Sequence, residues 1–243
     1  MILESASDLQ RKGLSLICSY LPNNTYFETT VHLASYIFLS GPDTSEPKYA
    51  PSAFVVEPDI IVNLSSKFWT YDVNEVFNML THEIYHIGFN TKAAFFRPNL
   101  EDKSKKELVK SIIWMLQYEG MATYIGFKAL PLFPTPDKKG EGSTVGGDDY
   151  KMLQNIQDVR RLLEKVNHLF LQSESKSYGE YEEMIRQEGV MQRAFYVVGA
   201  YIAQEIEASK GTEALVQSTI KGPRHYVDSY NNIAPNSMQV LIR

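Results

Sequence analysis

The spacing of apolar residues changes along this chain, and the changes divide it into elements. Over residues 71–90, YDVNEVFNMLTHEIYHIGFN, the apolar positions Val76, Phe77, Met79, Leu80, Ile84 and Ile87 recur at close to helical period and predict a helix over about 73–88. Asp72 followed by Glu75 has capping-box spacing at its start, and Gly88 and Asn90 stand as terminators with Lys92 just beyond. Its wide apolar surface predicts a central, buried helix. A second helix is predicted over 105–130, with Ile112, Ile113, Leu116, Ala122 and Ile125 on one stripe. Upstream the pattern is that of strands, at 31–39, 53–56 and 59–64, with a proline-rich loop over 41–51. Residues 4–21 predict an opening helix closed by Leu21-Pro22-Asn23-Asn24. Downstream, 133–147 reads as a surface loop, followed by helices over 148–171, 178–187 and 192–209 and a short one over 212–220. The expected class is α+β: a small N-terminal mixed sheet beside a central helix, then a mostly helical lobe.

Composition narrows the picture. The chain has 243 residues, 44% hydrophobic and 22% charged, as an ordinary globular protein does. The expected organisation is one domain over 1–243, with an N-terminal sublobe to about 90 and a helical sublobe beyond. A net charge of −5 gives no electrostatic reason to expect nucleic acid or an anionic membrane. No apolar run reaches the ~18 residues of a membrane span. The one cysteine, Cys18, excludes an internal disulfide and reads as a buried thiol on the first helix. No charged-then-apolar leader is visible, so both a cytoplasmic chain and an exported mature form fit.

The chemistry is concentrated in His82-Glu83-Ile84-Tyr85-His86. On a helix, residues i and i+4 lie one turn apart on one face, so both imidazoles can reach one ion. Glu83 is rotated aside, where it can act as a base toward water without ligating. Two histidines and an acid would be expensive to bury without partners. A catalytic zinc site wants a third protein ligand. Glu119 is the favoured one: it sits in the apolar stripe of the second helix beside Gly120 and Ala122, small residues that would let this helix pack closely on the first. The plainer alternative is a partly exposed glutamate on an amphipathic helix. His32 and His168 have no metal-like spacing and read as a strand and a helix-surface histidine; Asp148-Asp149 reads as a helix start.

HEIYH followed by EGMATYIG resembles the gluzincin branch of zinc metallopeptidases, within the peptidase-MA-like superfamily. Arg193-Ala194-Phe195-Tyr196-Val197-Val198-Gly199-Ala200-Tyr201 resembles the A-Y-x-x-G helix of that group. The closing Gly222-Pro223-Arg224-His225-Tyr226 and Tyr230-Asn231 are similar to the end of a zinc-dependent peptidase domain of otherwise unknown function. The likeness spans about 25–232. It implies a zincin-like fold, zinc held by His82, His86 and Glu119, Glu83 as general base, and hydrolysis of peptide bonds in a peptide or protein substrate. It also implies a catalytic role for Tyr196 as donor to the developing oxyanion, with Tyr201, His225 and Tyr226 as competitors. An edge strand of the sheet would pair with extended substrate, a role that falls on Ile60 to Leu64. One position departs: many gluzincins carry an aspartate four residues after the glutamate to orient a ligand histidine, and Thr123 stands there.

Three rivals are weaker on the residues. A di-iron carboxylate bundle needs E-x-x-H twice, and only Glu83-x-x-His86 is present. A deformylase needs an upstream cysteine ligand, and Cys18 lies in a helical context without its motif. A non-catalytic peptidase-like protein that binds a peptide or protein partner remains the alternative, although every residue that hydrolysis needs is present.

Overall fold

A computed structural model describes residues 7, 9–34, 53–63, 73–133 and 147–242. Three short strands come first: β1 (Val31–Ala34), β2 (Ala53–Val56) and β3 (Asp59–Asn63). They form a mixed sheet in the order β1-β3-β2, with β1 parallel and β2 antiparallel to β3. Ile60 and Val62 point into the core from β3 and are fully buried, as alternation in a half-buried strand requires. β3 is therefore the middle strand, and its main-chain groups are taken on both sides. The substrate-pairing role expected of Ile60 to Leu64 is corrected on this ground: an edge is needed, and Ile60–Asn63 do not form one. Leu64, the second half of the strand expected over 31–39, the loop expected over 41–51 and all but the two end residues of the loop expected over 133–147 lie outside the described residues.

The rest is helical. After a π-helical turn (Leu9–Gly13) and a short helix α1 (Leu14–Ser19) come α2 (Val73–Ala93) and α3 (Lys105–Ala129). Then follow α4 (Gly147–Gln154), α5 (Ile156–Gln172), α6 (Tyr178–Met184) with a π-helical extension (Ile185–Met191), α7 (Ala194–Lys210), α8 (Thr212–Lys221) and α9 (Pro223–Asn231). The class is α+β with a helical C-terminal lobe, and β2 runs beside α2. No helix among the described residues is long and apolar enough to cross a membrane.

Several boundaries differ from expectation for local reasons. α2 continues past Gly88 to Ala93. Gly88 is a packing residue, because a Cβ there would meet the Leu21 and Phe27 side chains. The expected cap at Asp72 lies outside the described residues. The helix expected over 148–171 is two helices, broken where extended Asn155 caps α5 by accepting from the Gln157 N–H at 3.1 Å. α9 was not expected; Gly222, at φ 93°, ends α8 and Pro223 begins the next helix at its first position. Cys18 is exposed, next to buried Ile17, so the expectation of a buried thiol is corrected.

α2 and α3 form an antiparallel pair, read from contacts along their length. Asn78 of α2 donates to the Gly126 carbonyl of α3 at 2.6 Å and accepts from the Tyr150 hydroxyl at 2.7 Å. Further along, Phe89 packs edge-on against Trp114, with ring centroids 5.4 Å apart. The middle of this pair sets His82 and His86 opposite Glu119.

Candidate metal centre

His82 and His86 aim their Nε2 atoms at one point, 3.1 Å from each other. The Oε2 atom of Glu119 lies 3.4 Å from each of them. Tetrahedral coordination at ~2.0–2.1 Å sets neighbouring ligand atoms about 3.3–3.4 Å apart. The triangle has nearly those edges, and its two nitrogens and one carboxylate oxygen are a donor set suited to zinc. Among the described residues, this is the group of histidines and acids whose ligand atoms converge closely enough to hold a metal ion. His86 is buried and His82 and Glu119 are nearly so, so these polar atoms are withdrawn from water toward one another.

The electrostatics fit that arrangement. Burial works to raise the Glu119 carboxyl, but the imidazoles of His86 and His82 outweigh it and hold the group well below the ordinary carboxylate range. Glu83 has the opposite balance. Burial pushes it up to about 7, with His82 opposing, the Glu119 charge reinforcing and Arg193 opposing. A carboxyl near neutrality is suited to accept and return a proton.

Glu119 is aimed by packing on its far side. The small residue next to it, Gly120, meets α7 rather than α2: a Cβ on Gly120 would run into the Gly199 Cα, and one on Gly199 into the Leu116 carbonyl oxygen. The expectation that Gly120 lets α3 approach the His-bearing helix is therefore corrected to an approach between α3 and α7. One turn before Gly199, Tyr196 lies beside His82, with nearly parallel rings (14°) and centroids 6.5 Å apart. Its phenol is pushed up by burial, then by Glu119, with Arg193 opposing, and so stays protonated at neutral pH. The competing residues are engaged elsewhere. Tyr226 donates to the Gly199 carbonyl at 2.6 Å, Tyr201 packs edge-on against Tyr230, and His225 pairs with the Ser229 hydroxyl at 3.4 Å.

Several residues near the triangle escaped sequence reading. Arg193, at φ 64°, sits 3.2 Å over the Tyr196 ring and grips buried Asp149 through both Nε and Nη2. Asp149 thus does more than start α4. Tyr118, adjacent to Glu119, stacks on the His86 ring at 3.8 Å and 24°. Asn90, one turn past His86, donates to Glu57 and to the Tyr118 hydroxyl. Their only sequence signals were proximity to the two motifs. His86 Nδ1 and Thr123 Oγ1 are both buried without a hydrogen-bond partner, so Thr123 does not take over the orienting role of the aspartate it replaces. His32 pairs with Asp59 on the sheet and His168 with Glu188 on a helix surface, as ordinary surface histidines do.

An α+β fold with two imidazoles and a carboxylate converging across a helix pair defines a candidate metalloprotein. The chain matches, over residues 4–239, the family described as "Putative zinc dependent peptidase" (DUF5700), and it belongs to that family. No curated protein matches it. No solved structure matches it either.

Proposed function

We propose that this protein is a zinc metallopeptidase that hydrolyses peptide bonds, with residues 1–243 as one zincin-like domain. The observation that carries this is the triangle of His82 Nε2, His86 Nε2 and Glu119 Oε2, with edges of 3.1, 3.4 and 3.4 Å. These three residues would hold the ion. Bound zinc supplies a Lewis acid and makes water a nucleophile at neutral pH.

The chain's own residues do the rest. Glu83, set aside from the ligand pair on the same helix, takes a proton from the attacking water and returns it to the leaving amine. Tyr196, half-buried and protonated beside His82, donates to the carbonyl oxygen as it gains charge. Arg193, anchored by Asp149, holds the Tyr196 ring in place. Membership of a family described as zinc-dependent peptidases supports the same reading.

The test is zinc content and hydrolysis measured on the same samples. Glu83→Gln keeps about one zinc per chain and loses hydrolysis of a diverse peptide mixture by about 10²–10⁴-fold. Glu119→Ala loses zinc; unchanged zinc affinity in that variant sinks the ligand assignment. Stoichiometric zinc in a native protein that cleaves nothing in the mixture sinks the peptidase.

A further inference from the structure

A concave site lies next to the triangle, reached through Tyr118, which stacks on His86. It encloses about 520 Å³, within the range of pockets that take small ligands and side chains. Leu108, Trp114, Met115, Tyr118, Val190 and Phe195 supply its apolar walls. Trp114 and Tyr118 offer nearly parallel rings, 5.5 Å apart and 20° inclined. Tyr118 also stacks on His86, so one ring belongs both to this pocket and to the wall of the metal triangle.

The two arginines at the pocket are already paired: Arg186 grips Glu183 through two hydrogen bonds of 2.8 and 2.6 Å, and Arg97 faces Glu57 at 3.7 Å. Glu182 accepts from the Tyr178 hydroxyl, keeps its charge and stands exposed to solvent, away from the apolar walls. An anionic occupant finds no free counter-charge among these groups. One polar atom is different. Asn90 lines the pocket and is 9% exposed. Its amide orientation is settled because the Glu57 carboxylate can only accept, so Nδ2 must face it and Tyr118. That leaves Oδ1 buried with no donor, a costly arrangement that a ligand N–H would relieve.

We propose that this pocket receives an aromatic or long apolar side chain of the peptide substrate, with Asn90 Oδ1 accepting a main-chain N–H beside it. The assignment rests on the peptidase reading. A peptide combines an apolar side chain, an adjacent N–H donor and a cleavable bond that can reach across Tyr118 to the triangle. Leu108, Trp114 and Phe195 select against charge, because an ion buried there would lose its hydration without a partner.

Gly179 makes the test practicable. It lines the pocket, and a Cβ on it meets nothing within 4 Å. Gly179→Trp therefore adds a bulky ring at the pocket's edge, from a helix start, without displacing backbone. The probe is N-acetyl-4-fluorophenylalaninamide, titrated by fluorine NMR against full-length, zinc-loaded protein carrying Glu83→Gln. Saturable binding is expected, at least tenfold weaker after adding Gly179→Trp. N-acetylalaninamide should compete at least tenfold less well, and a probe methylated on its amide nitrogens should bind more weakly. Should Gly179→Trp not fold, Val190→Phe narrows the same space from another wall and gives the same result. Undiminished binding to either filled variant, or equal competition by the alanine compound, overturns the pocket. In a peptide mixture, the protein with native Glu83 should cleave beside aromatic or long aliphatic residues, and Gly179→Trp should shift cleavage toward small ones. Binding without any cleavage overturns the peptidase reading; cleavage without side-chain preference overturns the pocket.

Discussion

Gly120 and Gly199 meet backbone to backbone where α3 crosses α7, leaving no room for a Cβ on either. This one contact accounts for the glycines of two separate motifs. Gly120 follows the carboxylate that completes the triangle, and Gly199 lies one turn after the tyrosine that flanks it. Holding the two helices this close fixes Glu119 and Tyr196 on the same side of the site.

Gly199→Ala and Gly120→Ala should therefore each destabilise the protein by about 1–3 kcal/mol or more, because the obstructing atoms are main chain and cannot rotate away. Urea unfolding measures the loss, and zinc affinity should fall with it as Glu119 is displaced. Native-like stability and zinc binding in both variants would contradict the close crossing.

Removing the metal should lower stability without unfolding the chain, since the helix pair has its own clamp through Asn78, Gly126 and Tyr150. At free zinc 100-fold above Kd, the ion should add about 2.7 kcal/mol. For a chain of this size that corresponds to roughly 5–10 °C in Tm. Calorimetry with and without a chelator checks this. The shift should vanish in His86→Ala, and a shift of equal size in that variant would place the ion elsewhere.

Arg193 should separate positioning from metal binding. Its guanidinium lies over the Tyr196 ring and is held by both oxygens of Asp149, a planar and bidentate arrangement that lysine cannot copy. Arg193→Lys should leave zinc content intact, reduce kcat about tenfold or more, and cost about 1–3 kcal/mol in stability. Native kcat in the lysine variant would show that Tyr196 needs no such support.

Glu207 should make stability depend on acid. It accepts from Tyr20 at 2.8 Å, Tyr124 at 2.6 Å and Thr212 at 2.6 Å, and Lys128 lies 3.3 Å away, so it joins the segment after α1 to α3, α7 and α8. Burial alone would raise its carboxyl, but Thr212, Tyr124, Tyr20 and Lys128 together hold it below the ordinary value. With the folded pKa depressed, its contribution is complete above the unfolded value of about 4.3 and is lost as pH falls through the folded one. Glu207→Gln should thus be less stable than the native protein at pH 7, and the gap should close below about pH 4 in urea titrations. A gap independent of pH would remove the carboxylate's charge from the explanation.

Local pattern was enough to locate much of this protein. The helical period through Val76, Leu80, Ile84 and Ile87 placed HExxH on a helix, and i to i+4 geometry then put both imidazoles on one face. The second helix was legible to within a residue at each end, because its apolar stripe is contiguous in sequence. Glu119 could be favoured as third ligand from its place in that stripe. What stayed hidden depends on contacts between distant segments. That β3 lies between its neighbours, that Gly120 approaches Gly199 rather than α2, and that Asp149 anchors Arg193 over Tyr196 all depend on pairings of high sequence separation, which no local period encodes. The sequence by itself determined which side chains could ligate and on which elements they ride. Only tertiary packing decided that their three donor atoms converge, because convergence requires two helices to be locked in register, and that register is held by buried contacts such as Asn78 with Gly126 and Phe89 with Trp114.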